Sequence, residues 1–328
     1  MDLPSEDSLR WIVSSYASLA AKHGEGIGDP VLVQPTADDF PDAFERSVDG
    51  VGRFLVRMLE YAPVASDLDV RLRIVEGESG VGGDGSCGSG SCSTGSRSVG
   101  GNRSTGCGTE SRPVFGDRVV DTDDGYIVEL PSTAAGHPLR LAAALARSVG
   151  TIVLLEAGEV VEPAEIGPMS ELAGAAVGLG VLLLGGAYLF GKSCGGVRVE
   201  QCTHLDVMEL AVVVSLFARL HGHKLSSLKE HLETTQREAL GEAMAWIDSN
   251  PELLADLEGR PETLADGVFK IQPTKGLLGR WFSGSRRESA PIEAAPPSPR
   301  QARARTEEEQ KRLDEARALV DAGLRVRG

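Results

Sequence analysis

The stretch LAAALARSVGTIVLLEAG, residues 141–158, decides the fold of this chain. Its small and apolar residues recur at helical spacing and predict a helix that begins at Pro138, because proline is favoured in a first helical turn. Arg147, Ser148 and Thr151 interrupt the apolar run. These three residues are therefore the first candidates for a functional site.

The bulk composition indicates a globular protein. A chain of 328 residues with 41% apolar residues can fill a substantial core. The formal charge of -15 and the pI of about 4.9 argue against nucleic acid or an anionic membrane surface as a general partner. The acidic start MDLPSEDSLRW lacks the pattern of a secretory signal, and five cysteines are too few for a disulfide framework. We therefore expect a cytoplasmic protein.

The amino-terminal part, residues 1–76, has alternating helix and strand patterns that assign it to the core. Apolar spacing predicts two helices, and the alternation of Val70, Leu72 and Ile74 with charged residues predicts a strand with one buried side. In chain order the predicted elements are a helix at 5–24 stopped by Gly24, a short strand and turn at 31–44, a helix at 47–62, and a strand at 67–78.

Composition divides the remaining chain into four segments. Glycine, serine and three cysteines fill the insert 77–112, which has little to bury and is predicted to be flexible and disordered. The core resumes at 113–282 with a predicted hairpin, in which FGDRVV and GYIVELP flank DTDD. Mainly helices follow. They include a helix at 205–222 that Gly222 stops and a helix at 226–247 that Ser227 opens. A proline-rich linker, 283–302, precedes a charged tail helix at 303–328, whose thin apolar stripe fits a solvated tail or a docking helix.

Residues 172–190, LAGAAVGLGVLLLGGAYLF, carry no charge and are long enough to cross a membrane. Their five glycines fit close helix packing better than a lipid-exposed surface. A buried core helix is the preferred interpretation, and a single membrane span is the alternative.

Two longer stretches carry a resemblance to a known family. PMSELAGAAVGLGVLL, residues 168–183, and LVQPTADDFPDAFERSVDGVGRFLVRMLEYA, residues 32–62, resemble segments of a family of uncharacterised bacterial proteins with a zinc-peptidase domain. The resemblance covers most of residues 9–247 and implies a zincin-like α+β fold, predominantly helical with a small sheet. In such proteins a helix carrying His-Glu-x-x-His holds zinc with its two histidines, while its glutamate takes a proton from bound water.

This sequence departs from the family at the positions of the metal-binding motif. Arg147, Ser148 and Thr151 occupy the positions of the two histidines and the glutamate, and none can do the same chemistry. The resemblance places Glu171 at the position of a third ligand, and we expect it to lie opposite Arg147 and Thr151. It thus implies a pseudoenzyme with no catalytic residue, no metal and no cofactor.

The function that follows is the binding of a peptide or protein segment in the remnant cleft. Arg147 would supply charge, Ser148 and Thr151 would supply hydrogen bonds, and the strand YIVEL, residues 126–130, would pair as an edge strand with an extended chain. Three alternatives stay open: an ordinary amphipathic helix without zinc ancestry, an active hydrolase with unconventional metal ligands, and metal binding or redox chemistry by the cysteines of the insert.

Nucleotide binding is a further alternative, because GAYLFGKS, Gly186 to Ser193, matches the phosphate-loop pattern G-x-x-x-x-G-K-[ST]. Such a loop joins a strand to a helix. Here the first half of the match continues an apolar run, and CGGVRV follows where a helix should begin. The context indicates a coincidental match.

Overall fold

The chain folds as an α+β protein in which helices predominate, and the predicted fold class is confirmed at this level. A computed structural model describes residues 2–27, 30–76, 116–193 and 196–273. Its helices and strands are α1 (Glu6–Ile27), α2 (Val48–Leu59), β1 (Val70–Val75), β2 (Arg118–Thr122), β3 (Gly125–Pro131), α3 (Ser132–Ala135), α4 (Pro138–Glu156), α5 (Ile166–Gly174), a π-helical turn (Ala175–Leu179), α6 (Gly180–Gly186), β4 (Leu189–Ser193), β5 (Gly196–Glu200), α7 (Val207–Leu220), α8 (Leu225–Lys229), α9 (Thr234–Asp248), α10 (Pro251–Gly259) and a 3-10 turn (Pro261–Thr263).

Within the described residues, the main sheet has three strands in the order β1-β3-β2. Strand β3 pairs antiparallel with β2 through the predicted hairpin and parallel with β1. Tyr126, Val128 and Leu130 of β3 are buried, so alternate positions of this strand face the core. The prediction that YIVEL is an edge strand is wrong, because both sides of β3 are paired; β1 and β2 form the edges.

Helix α4 begins at Pro138 as predicted and lies at the centre of the molecule. Thirteen of its residues, from Leu141 to Leu154, are buried, including Arg147 and Ser148. A helix that is apolar on nearly every side must be surrounded by other elements. Helices α5 and α6 supply most of that cover, with α2 and β2 adding smaller contacts. The polar side chains of α4 therefore lie inside the protein.

The long apolar segment after α4 bends at Gly178. This residue has φ +97°, and a Cβ there would lie 2.0 Å from the carbonyl oxygen of Val31. The carbonyl of Gly178 accepts a hydrogen bond of 3.0 Å from the amide of Val33. Glycine thus allows the chain around Val31 to approach the bend. The short strand predicted at this point is wrong, because residues 31–33 belong to no strand.

The carboxy-terminal helices follow the predicted order but differ in their ends. Asp206 and Glu209 form a capping box at the start of α7, and Gly222, with φ +68°, lies just beyond its end. The single helix predicted at 226–247 is wrong, because the chain breaks into α8 and α9 around Glu230. The break lets Leu228 and Leu232 both reach the core. At the other end of the chain, α1 continues through Gly24 and Gly26 to Ile27, since each helical glycine costs only about 1 kcal/mol.

In the described part of the chain, two helical stretches, Pro138–Glu156 and Ile166–Gly186, are long and apolar enough to cross a membrane. In the most apolar window of the second stretch, 94% of the residues are buried inside the protein. This burial favours the core-helix interpretation of residues 172–186, while residues 189–193 form strand β4. The predicted insert at 77–112, the linker at 283–302 and the tail helix at 303–328 lie outside the described residues.

Candidate functional site

The guanidinium of Arg147 is held between two carboxylates. Nε and Nη2 donate to the two oxygens of Asp117 at 2.9 and 2.8 Å, and Nη1 donates to Oε1 of Glu171 at 2.8 Å. Nη1 also donates to the carbonyl oxygen of Cys202 at 3.0 Å. The side chains of Arg147 and Asp117 are 6% and 5% exposed, and that of Glu171 is 0% exposed. This is a buried, two-sided ion-pair network.

Glu171 connects the network to the loop before α7. Its Oε1 accepts the amide of His204 at 2.7 Å, and its Oε2 accepts the amide of Leu205 at 2.8 Å. Each carboxylate oxygen therefore has a hydrogen-bond partner in the protein. Through Arg147 and Glu171, four parts of the fold are joined: α4, α5, the start of β2 and the loop at 202–205.

Thr151 lies one turn after Arg147 and forms a hydrogen bond with Ser170, the residue before Glu171 in the chain. Its Oγ1 lies 2.8 Å from Oγ of Ser170, and Ser170 Oγ lies 2.6 Å from the carbonyl oxygen of Ile166. A hydroxyl carries one proton, so Ser170 donates to Ile166 and accepts from Thr151. Ser148 instead bonds within its own helix, donating to the carbonyl oxygen of Ala144 at 2.9 Å.

Burial shifts the pKa values of Arg147 and Glu171 in opposite directions. Burial alone lowers the pKa of Arg147, but attraction to Asp117 and Glu171 outweighs it and raises the pKa above the ordinary arginine value. Burial raises the pKa of Glu171, and this effect outweighs the opposing influence of Arg147 and of the Leu205 and His204 amides. Arg147 therefore stays charged, and its attraction is the strongest influence opposing the rise in the pKa of Glu171.

The structure brings together three of the four predicted site residues. Glu171 lies against Arg147, as expected, and Thr151 lies beside it against Ser170. Ser148 faces its own helix. The geometry does not support an open cleft at these residues, because Arg147, Ser148 and Glu171 are buried and bonded within the protein. A cavity of about 310 Å³ elsewhere is lined by none of the four and lies among Glu6, Arg10, Asn250, Leu253 and Lys270.

Sequence reasoning missed Asp117 and the amides of His204 and Leu205. Asp117 lies just before β2, in a segment with no pattern that distinguishes a buried carboxylate from a surface one. Backbone amides carry no sequence signal at all. The one available signal was the charge of Arg147 on an otherwise apolar helix, since a buried charge requires a partner of opposite sign.

Helices α4 and α5 approach each other closely at Gly150. A Cβ on this residue would lie 1.9 Å from the carbonyl oxygen of Ser170 and 2.7 Å from the amide nitrogen of Gly174. Both atoms belong to the backbone of α5 and cannot move aside as a side chain would. Gly150 thus fixes the spacing at which Arg147 reaches Glu171.

We expect Gly150→Ala to destabilise the fold by about 1–3 kcal/mol, because the added methyl group must push α5 away. Gly185→Ala is the matched control, since its Cβ would meet only Cδ2 of Leu139 at 3.7 Å. The control should be neutral or stabilising by up to about 1 kcal/mol, as alanine is the better helix former. Chemical denaturation measures both; equal effects of the two substitutions would contradict the close approach.

The phosphate-loop match occupies the wrong structural context. Helix α6 ends at Gly186, and Lys192 and Ser193 lie in strand β4, which pairs antiparallel with β5. The order is therefore helix then strand, the reverse of a phosphate loop. This arrangement provides no helix amino terminus after the lysine to receive a phosphate.

Among the described residues, no three histidine, cysteine, aspartate or glutamate side chains lie together as a metal-binding group. The thiol of Cys202 is buried, and burial raises its pKa. The cysteines of the insert, Cys87, Cys92 and Cys107, and also Cys194 lie outside the described residues. The metal or redox chemistry predicted for Cys87, Cys92 and Cys107 stays a hypothesis.

Comparison with protein-family models, with curated proteins and with solved structures finds no match to this chain.

Proposed function

We propose that this chain is a catalytically inactive, zincin-like protein that acts as a peptide-binding or protein-binding scaffold in the cytoplasm. The observation that carries the proposal is the position of the Arg147 guanidinium. It lies 2.8 Å from Glu171, the residue that the family resemblance places as a metal ligand. A fixed positive charge thus stands beside this carboxylate.

The residues present do not fit a catalytic zinc ion. A guanidinium has no lone pair to donate to a metal and remains charged, so Arg147 repels a cation where a histidine would bind it. Thr151 bonds to Ser170, and the oxygens of Glu171 accept hydrogen bonds from Arg147, His204 and Leu205. Binding a metal here requires breaking this network.

The same network supports a structural role for these residues. Buried charges persist when each is paired and hydrogen-bonded, and both conditions hold for Arg147 and Glu171. A scaffold has to present its binding surface from a fixed frame, and the network joins helices α4 and α5 to β2 and the 202–205 loop. Binding must then use another surface of the protein.

Elemental analysis of the purified, reduced full-length chain tests whether the protein lacks a catalytic zinc ion. We expect less than one equivalent of zinc per chain and no hydrolysis of general peptidase substrates. Because the insert cysteines are a separate possible source of metal, the same measurement on a variant with Cys87, Cys92 and Cys107 replaced by serine is the control. A full equivalent that persists in this variant but disappears on Glu171→Gln would contradict the proposal.

A further inference from the structure

Within the part of the chain that the structure describes, strand β1 pairs on one side only. The carbonyl of Asp69 accepts the amide of Tyr126 at 2.8 Å, so residues 69, 71 and 73 direct their backbone groups towards β3. By the alternation of a parallel ladder, Val70, Leu72 and Ile74 direct theirs away from it. Among the described residues, none forms a backbone hydrogen bond with this outer side of β1. An exposed edge of this kind is a template for another strand.

The apolar side chains at the same edge are incompletely covered. Val70, Leu72 and Ile74 lie on the core-facing side of the sheet, where they pair with buried residues of β3. Val70 is buried, but Leu72 and Ile74 are only partly buried. One more strand beside β1 would remove further apolar area from water at this point. The edge therefore offers both unpaired hydrogen-bonding groups and apolar contact.

The outer face of the sheet carries an excess of positive charge. Arg71, Arg73 and Arg118 lie on this face with two acidic residues, Asp69 and Glu129. Arg73 and Arg118 both donate to Glu129, with Arg73 Nη1 at 2.7 Å from Oε1. The hydrogen bond from Arg118 lowers the pKa of Glu129 and, with the pairing to Arg73, outweighs its burial.

These arginines retain hydrogen-bonding capacity. A guanidinium has five N–H donors, whereas Arg73 and Arg118 each use one nitrogen on Glu129. The side chains of Arg71 and Arg118 are 61% and 71% exposed. The remaining donors suit carboxylates presented by a neighbouring strand, because arginine binds carboxylates in a forked geometry.

We propose that the free edge of β1 binds an extended acidic segment of another protein as a fourth strand of the sheet. Residues of the segment that face outward would place carboxylates beside Arg71 and Arg73. Residues that face inward would place apolar side chains beside Leu72 and Ile74. This inference rests on the proposed scaffold function and names the chemistry of its partner.

Charge favours a segment of another protein over the chain's own insert at residues 77–112 as the occupant of this edge. The whole chain has a formal charge of -15, so a local excess of arginine on one sheet face favours an acidic ligand. The chain's own insert, which follows β1, is no such ligand, because its acidic residues are matched in number by basic ones: Glu78, Asp84 and Glu110 against Arg97, Arg103 and Arg112.

Fluorescence anisotropy with short synthetic peptides tests the proposal on the full-length chain. The probe is a labelled, end-capped peptide that alternates valine and glutamate, and its counterpart replaces each glutamate by lysine. We expect the glutamate peptide to bind and the lysine peptide to bind about tenfold more weakly, because its lysines would face Arg71 and Arg73 across the strands and like charges opposite each other destabilise pairing. A third peptide, with alternate backbone nitrogens methylated, should lose binding because it cannot form the ladder.

Protein variants locate the site. Arg71→Glu should weaken binding of the glutamate peptide about fivefold. The control is Arg53→Glu, at an exposed position of α2, which should leave the affinity for this peptide unchanged. Absence of glutamate-peptide binding, or equal binding of the methylated peptide, would overturn the edge proposal without affecting the zinc result. Tighter peptide binding after deletion of residues 303–328 would identify the chain's own tail as the occupant of the edge. A dimer that Arg71→Glu dissociates would identify a second copy of the chain as the occupant. Either result overturns the proposal that the partner is another protein.

Discussion

Replacing Arg147 by methionine is expected to lower the free energy of unfolding by about 3–5 kcal/mol, because it leaves two buried carboxylates without their cation. Methionine keeps much of the side-chain volume, so the loss reports on charge rather than on a cavity. Chemical denaturation of the full-length chain measures the change. A loss of this size would be a large part of the stability of an ordinary domain, which is about 5–15 kcal/mol.

An exposed pair between two other helices provides the control for this measurement. Arg219 on α7 contacts Asp248 on α9 at 2.7 Å, with side chains that are 36% and 41% exposed. Arg219→Met should cost less than about 1 kcal/mol, since solvent screens such pairs. Equal losses for the two variants would show that the Arg147 network has no special structural role.

A second substitution separates loss of charge balance from loss of packing. Adding Glu171→Gln to Arg147→Met should restore part of the lost stability, because the glutamine carbonyl can still accept the amides of His204 or Leu205. In the single variant the pKa of Glu171 should rise further, since its strongest opposing charge is gone. A carboxyl whose pKa is raised by folding stabilises the fold at low pH and loses that contribution as pH rises. The defect should therefore be larger at about pH 8 than at about pH 5.

Local patterns were sufficient to predict much of the fold. The helix from Pro138, the β2–β3 hairpin and the inward side chains of β1 follow from periodicity within a few residues along the chain. The order of strands did not follow, because β1 and β3 are separated by the insert and by β2. Pairing across such a distance depends on contacts that no local pattern records. Strand β3 was therefore wrongly predicted as an edge.

The candidate site was predictable only in part, for a related reason. An arginine on an apolar helix indicates a buried charge, and the family resemblance directed attention to Glu171. Asp117 and the amides of His204 and Leu205 complete the network from three other segments. Asp117 pairs with a second side of the guanidinium, and the two amides satisfy the oxygens of Glu171. The difference between an open cleft and a buried ion-pair network is therefore decided by residues without a sequence signal.

Returning histidines to α4 should convert the network into a zinc site if the chain descends from a metal-binding protein. The variant is Arg147→His with Thr151→His, whose side chains would face α5 one turn apart, with Glu171 as the third ligand and Asp117 as a possible fourth. Ser148 stays unchanged, because a glutamate at this buried position would bring an unpaired charge. We expect about one equivalent of zinc per chain by elemental analysis.

Zinc should also rescue the stability of this variant, since removal of Arg147 leaves Asp117 and Glu171 in need of a cation. At a free zinc concentration of about 1,000 times the Kd, binding adds about 4 kcal/mol to the free energy of unfolding. The unaltered chain should show no such gain, and adding Glu171→Gln to the double variant should abolish it. The contrary outcome is a double variant that is folded by circular dichroism but takes up no zinc. It would show that α4 and α5 do not hold these side chains at metal-binding distances. The zincin-like ancestry would then lose its geometric support.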